Sequence, residues 1–191
     1  MPRTLLDPAT YRHMAWKNGG GTTTELALAP VADNPGRFLW RVSIADVSRP
    51  GPFSTFDGCE RLIAVVGGAG MRLTIDGSPV VVRNREPALR FSGDAAVDCA
   101  LLDGPIRDFN LIVDRQRTDG QLDLVLAGHR ADVPAAGVAL IHALDGAVAV
   151  HASDGVTTHI PAGWTLRLDD EGGTVEPEAD ACAVVARVAI R

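Results

Sequence analysis

Two short stretches hold most of the side chains able to do polar chemistry: Arg41 and Ser43 in FLWRVSIA, and Asp108 and Asn110 in RDFNLIV. In each, polar and apolar residues alternate, and a period of two places alternate side chains on one face of a strand. An arginine at the mouth of a small barrel can grip a carboxylate through two parallel hydrogen bonds, and Arg61, which opens an adjacent hairpin, supplies a second positive group. Both arginines equally suit a solvated surface. Asn110 can donate and accept, which suits an amide or formyl group. Asp108 can orient Arg41, Arg61 or Lys17, although a structural salt bridge is its first role. Phe56 and Phe91 suit the apolar walls of such a site, or an aromatic core.

The stretch WKNGGGTTTEL, residues 16–26, invites comparison with a phosphate loop, but such a loop carries its Lys-Ser/Thr after the glycines and opens a helix. Here Lys17 precedes Gly19, and ELALA alternates like a strand. Glycines still let backbone approach a ligand or another strand closely, which puts Lys17 and Asn18 at the lip of a pocket or at a plain turn. Nucleophilic catalysis has little support. Cys59 stands beside Glu60 with no histidine nearby, and Ser54 is in no Gly-x-Ser-x-Gly turn. Glu25, Glu60 or Asp108 near Lys17 would still permit general-base chemistry.

No metal or other cofactor is expected. The five histidines, His13, His129, His142, His151 and His159, form no His-x-His pair followed by Glu. In HIPAGWTLRL, residues 159–168, a Pro-x-Gly turn resembles the second motif of the cupin barrels, where a metal-binding histidine follows the glycine after two residues. Leu166 occupies that place and cannot ligate an ion. In FSTFDGCER, Ser54 and Phe56 have the alternate spacing with Glu60 following, and neither replaces an imidazole. His142, His151 and His159 would have to converge in the later half of the chain to make a site.

These residues need a β scaffold to position them. Short β-branched runs punctuated by Gly, Pro and Asp recur along all 191 residues, and no segment keeps a helical period. The stretch LIAVVGGAGMRLTIDG, residues 62–77, overlays LIHALDGAVAVHASDG, residues 140–155, without a gap. Leu62, Ile63, Gly68, Asp76 and Gly77 meet Leu140, Ile141, Gly146, Asp154 and Gly155. The reading is an all-β bicupin: two small antiparallel barrels or jelly rolls, 1–114 and 115–191, with exchange of strands between them left open. The polar segment DRQRTDG is the junction.

Several of these stretches together resemble the HutD/Ves family of bicupin proteins: WKNGGGTTTEL, FLWRVSIADV, GPFSTFDGCERLI, FSGD and LLDGPIRDFNLIVDR, in family order. The resemblance implies a two-barrel fold and an association with bacterial histidine utilisation. It also implies a regulator binding an intermediate such as formylglutamate, with no enzymatic activity securely attached. The expected site is then a metal-free pocket in which Lys17, Arg41 and Arg61 counter the charge of a small carboxylate, and Asn18 and Asn110 read its polar groups. The alternatives are a metal-independent cupin enzyme acting on a small acid or amide, and a protein-interaction module.

Composition narrows the partners. With 24 acidic against 18 basic residues the formal net charge is -6, so no broad attraction to nucleic acid is expected, and no segment looks like a DNA-reading helix. No apolar run reaches the length that spans a bilayer or serves as a signal peptide. Three widely separated cysteines, Cys59, Cys99 and Cys182, argue against a disulfide framework. The expectation is a cytoplasmic protein with reduced thiols, and a homodimer stays open.

Overall fold

The computed structural model describes residues 3–32, 34 and 36–191; 63% of the chain is strand and 2% helix, so the regular structure is nearly all β, as the alternation predicts. From the amino end the strands are β1 (Arg3–Leu6), β2 (Arg12–Ala15), β3 (Gly21–Pro30), β4 (Phe38–Val47), β5 (Gly51–Pro52), β6 (Cys59–Gly67), β7 (Gly70–Ile75), β8 (Ser78–Arg83), β9 (Leu89–Ser92) and β10 (Val97–Leu101). Then come β11 (Ile106–Asp114), β12 (Thr118–Leu126), β13 (Ala131–Val133), β14 (Val138–Asp145), β15 (Val148–Ala152), β16 (Thr157–Ile160), β17 (Thr165–Asp169), β18 (Gly173–Pro177) and β19 (Cys182–Ile190). Among the described residues the helical content is a 3-10 turn, Pro8–Thr10.

Two compact units result. One is Tyr11–Asp119 with Arg191, and the other joins the chain up to Thr10 to Gly120–Ile190. The boundary therefore falls five residues beyond the expected 114/115, at Asp119/Gly120, and β1 is a strand of the later unit. In the earlier unit a six-stranded sheet, β2-β3-β4-β11-β6-β9, accompanies a four-stranded one, β5-β10-β7-β8. Alternate residues of both meet in one apolar cluster that includes Val47, Ile63, Val65, Met71, Leu73 and Val97. Burying these faces supplies the main driving force for folding.

The later unit has the same plan: a sheet β1-β17-β14-β19-β12 and a sheet β13-β18-β15-β16. Ile141, Val150, Ile160, Leu166, Val175 and Val185 pack together between them. The two overlaid stretches occupy matching places, since Leu62 and Ile63 lie on β6 and Leu140 and Ile141 on β14. Each ends in a tight Asp-Gly turn, with Gly77 at φ 83° and Gly155 at φ 84°.

The glycine run is the turn of the β2–β3 hairpin. Gly19 sits at φ 67°, its N–H donating to the Trp16 carbonyl at 3.0 Å, and Asn18 Oδ1 accepts the Gly20 N–H at 2.9 Å. The third glycine has a different task. Gly21 opens β3 beside β4, and a Cβ there would lie 2.4 Å from the Asp46 carbonyl oxygen and 3.2 Å from the Trp16 ring. A backbone oxygen cannot swing aside as a flexible side chain can. Gly21→Ala is therefore expected to lower stability by about 1–3 kcal/mol, as forced overpacking does. An unchanged urea midpoint would show that the two strands tolerate the methyl group.

Candidate ligand-binding site

Strand register builds the site. On the central strands, Ser43 lies opposite Asn110, Ala45 opposite Asp108, and Arg41 opposite Ile112, which on its other side faces Arg61. Because side chains alternate, these residues share one face of the six-stranded sheet. The face lines a cavity of about 430 Å³, closed at its sides by Trp16, Lys17 and Asn18 from the hairpin turn and by Phe53, Ser54 and Phe56 from the segment before β6. That volume suits a small metabolite.

At the centre is Arg61, 6% exposed. Its Nη2 donates to Asn110 Oδ1 at 2.9 Å and its Nη1 to the Ser54 carbonyl at 3.2 Å. The guanidinium carbon stands 5.1, 5.4 and 5.2 Å from the ring centres of Phe53, Phe56 and Phe91, within reach of cation–π attraction. Asn110 passes the network on, its Nδ2 donating to Asp108 Oδ1. Two atoms of this buried set, Arg61 Nε and Asp108 Oδ2, have no hydrogen-bond partner among the described residues.

Burial dominates the electrostatics. Loss of water pulls the Arg61 guanidinium down to about 10, partly offset by Asp108, so it stays a cation at neutral pH. Asp108 is 1% exposed, and desolvation pushes its carboxyl up to about 7 against the opposing pull of Arg61 and the Asn110 hydrogen bond. Arg41 is already engaged: its Nε donates to Glu25 Oε2 at 2.7 Å. The buried positive charge of the cavity is thus concentrated on Arg61, with Lys17 at the exposed rim.

Eight of the nine residues singled out from the sequence meet at this cavity: Lys17, Asn18, Arg41, Ser43, Phe56, Arg61, Asp108 and Asn110. Phe91 sits behind Arg61 in the apolar cluster instead of on the wall. Asn18 spends its side-chain oxygen on the hairpin turn. Trp16, whose Nε1 donates to Thr23 Oγ1 at 2.8 Å, and Phe53 line the cavity without being expected there, and Ser54, weighed above only as a metal-site or nucleophile position, joins them with its carbonyl on Arg61. The signal available was the Gly-Pro-bounded segment GPFSTF, which the chain must fold back over the sheet.

The histidines of the later unit do not converge. His142 is buried on β14 against Thr165 Oγ1 at 3.0 Å, whereas His151 and His159 belong to the other sheet of that unit, beside Glu176 and Glu178. Leu166 is packed in the apolar core. Among the described residues no group of three or more His, Cys, Asp or Glu side chains is placed to hold a metal ion. Cys59, Cys99 and Cys182 are buried, and none is in a disulfide among the described residues.

Comparison with known proteins places this architecture. The model of the HutD family matches residues 8–186. The chain belongs to the HutD family. An uncharacterized protein in the hutC 3' region of Pseudomonas putida is 48% identical over 118 residues, a match spanning 62% of this chain and 62% of that protein. A conserved protein of unknown function from Pseudomonas aeruginosa shares the fold at a TM-score of 0.88 with 34% identity, covering 98% of both chains. HutD from Pseudomonas fluorescens, solved in a formate condition, gives 0.81 and 32% over 99% of both. A cupin 2 conserved barrel domain protein of Leptotrichia buccalis, at 11% identity and a TM-score of 0.57, shares the fold alone. The family is thereby linked to the histidine utilisation locus and to a cupin-like fold. No helix among the described residues is long and apolar enough to cross a membrane.

Proposed function

We propose that this HutD-family chain is a bicupin that binds a small carboxylate intermediate of histidine utilisation, such as formylglutamate, in a metal-free pocket, and that its role in the cytoplasm is regulatory. One observation carries the reading. A nearly buried guanidinium, Arg61, lines a metabolite-sized cavity, while the neighbouring Arg41 is paired with Glu25. A buried cation is costly unless an anion accompanies it, and the planar guanidinium matches a carboxylate.

Urocanate, formylglutamate and glutamate, compared in a thermal-shift series with and without chelator, test this. At 100 times its dissociation constant a ligand that binds only the folded state should add about 2.7 kcal/mol of stability. The expected result is a saturable shift indifferent to chelator. No shift with any of the three acids would sink the reading.

A second reading draws on Asp108, whose carboxyl near 7 is tuned as a general acid or base would be. It makes the protein a metal-independent enzyme acting on a small acid or amide. Product formation seen by mass spectrometry, and lost in folded Lys17→Ala and Arg41→Ala variants, would favour this reading.

A further inference from the structure

Resting on the carboxylate-binding reading, we propose that Asp108 makes ligand binding proton-coupled: one proton is taken from solvent onto Asp108 as a carboxylate enters the cavity beside it. Asp108 in this view determines which charge state of the pocket accepts an anion. Asp108 and Arg61 line the same cavity, and Asp108 already sits within the field of that cation. A ligand carboxylate gripping Arg61 would place two carboxylates against one buried guanidinium. Like charges brought together in a dry site cannot both stay ionised, and one of the pair holds a proton.

Among the described residues, the other cations near the cavity are either paired already or stand at its exposed rim, where water screens them. On β4, Arg41 is bound to Glu25 of β3, and Asp46 carries a negative charge that opposes ionisation of Asp108 while being paired to Arg107 on β11. On β6 the charged neighbour is Arg61 itself. From the other sheet of the unit, Cys99 on β10 faces Asp108, and burial pushes its thiol up to about 11, so it remains neutral. Lys17 stands at the exposed rim.

Hydrogen-bond geometry favours the same atom. Asn110 uses its oxygen on Arg61 and its nitrogen on Asp108 Oδ1. This fixes the amide so that Oδ1 is an acceptor, and leaves Oδ2, buried and unpaired among the described residues, as the place for the proton. The raised Asp108 value, about 7, means that the proton is taken up near neutral pH.

Calorimetric titration of the full chain with formylglutamate, in pairs of buffers differing in ionisation enthalpy, reads the linkage directly. About one proton should be taken up per ligand at pH ~8.5 and almost none at pH ~5.5, with the apparent Kd rising roughly tenfold per pH unit well above 7. Asp108→Asn should bind without proton uptake and with an affinity flat in pH. Wild-type binding with no uptake at either pH, or an Asp108→Asn variant that keeps the wild-type slope, would overturn the inference and leave the carboxylate pocket standing. Absence of binding at every pH would overturn the pocket and the inference together.

Discussion

Arg61→Met is expected to abolish the stabilisation given by formylglutamate and to weaken the fold at the same time. Methionine fills a similar volume among Phe53, Phe56 and Phe91 but removes the charge and the fork of donors. Losing two charge-assisted hydrogen bonds to a carboxylate should weaken binding roughly a hundredfold or more. Removing one member of a buried charged pair costs about 3–5 kcal/mol when the other is left ionised. Asp108 can escape that penalty by holding a proton, so the cost should approach this range at pH 8 and shrink below pH 6. Arg61→Lys, which keeps the charge without the fork, should retain most of the stability and little of the binding. A thermal shift with formylglutamate that survives in Arg61→Met would remove Arg61 from the site.

The second large effect is a pH profile of unfolding. Asp108 has a folded value near 7, well above the ordinary aspartate value of 3.8. Between these limits the native state holds a proton that the unfolded chain has released. Stability therefore falls as pH rises from about 4 to about 7 and levels off above, with a slope of about 1.4 kcal/mol per pH unit in mid-range and a total of a few kcal/mol. Exposed carboxylates such as Asp94 behave oppositely. The Gly58 N–H and Arg115 hold Asp94 below its usual range, so its contribution is lost only as pH falls further. The difference between wild type and Asp108→Asn in urea melts isolates the buried group. Profiles that run parallel from pH 4 to 8 would show that Asp108 ionises normally.

Much of this site was legible because strand alternation is a local rule. Alternation alone puts Arg41 with Ser43, and Asp108 with Asn110, each on one face, and the β4–β11 register sets them side by side. Sequence could not distinguish the two arginines. Arg41 is claimed by Glu25 across the β3–β4 pair, where the register shifts between Glu25 and Ala27, whereas Arg61 is left facing the cavity. Trp16, Phe53 and Ser54 reach the cavity because a hairpin turn and a loop fold back over the sheet, a matter of chain closure that no local period encodes. Phe91 misled for the same reason: its type suited a wall, and its place opposite Arg61 on the neighbouring strand made it a support. The strand β1 was invisible, since four residues, RTLL, carry too little pattern.

That short strand has a consequence for how the chain is made. β1 pairs with β17 through Arg3↔Leu168 to Leu6↔Thr165, and Arg3 binds Glu171 and Asp154. A ribosome synthesises β1 long before its partner, so this segment must wait, unpaired, while the whole cavity-bearing unit emerges. Closing so distant a contact is slow relative to local hairpins. The unit that carries the cavity can assemble early, and the unit without it is completed last. A gene cut at the Asp119/Gly120 boundary would accordingly give one fragment with a stray strand and another with an uncovered sheet edge, a known invitation to aggregate.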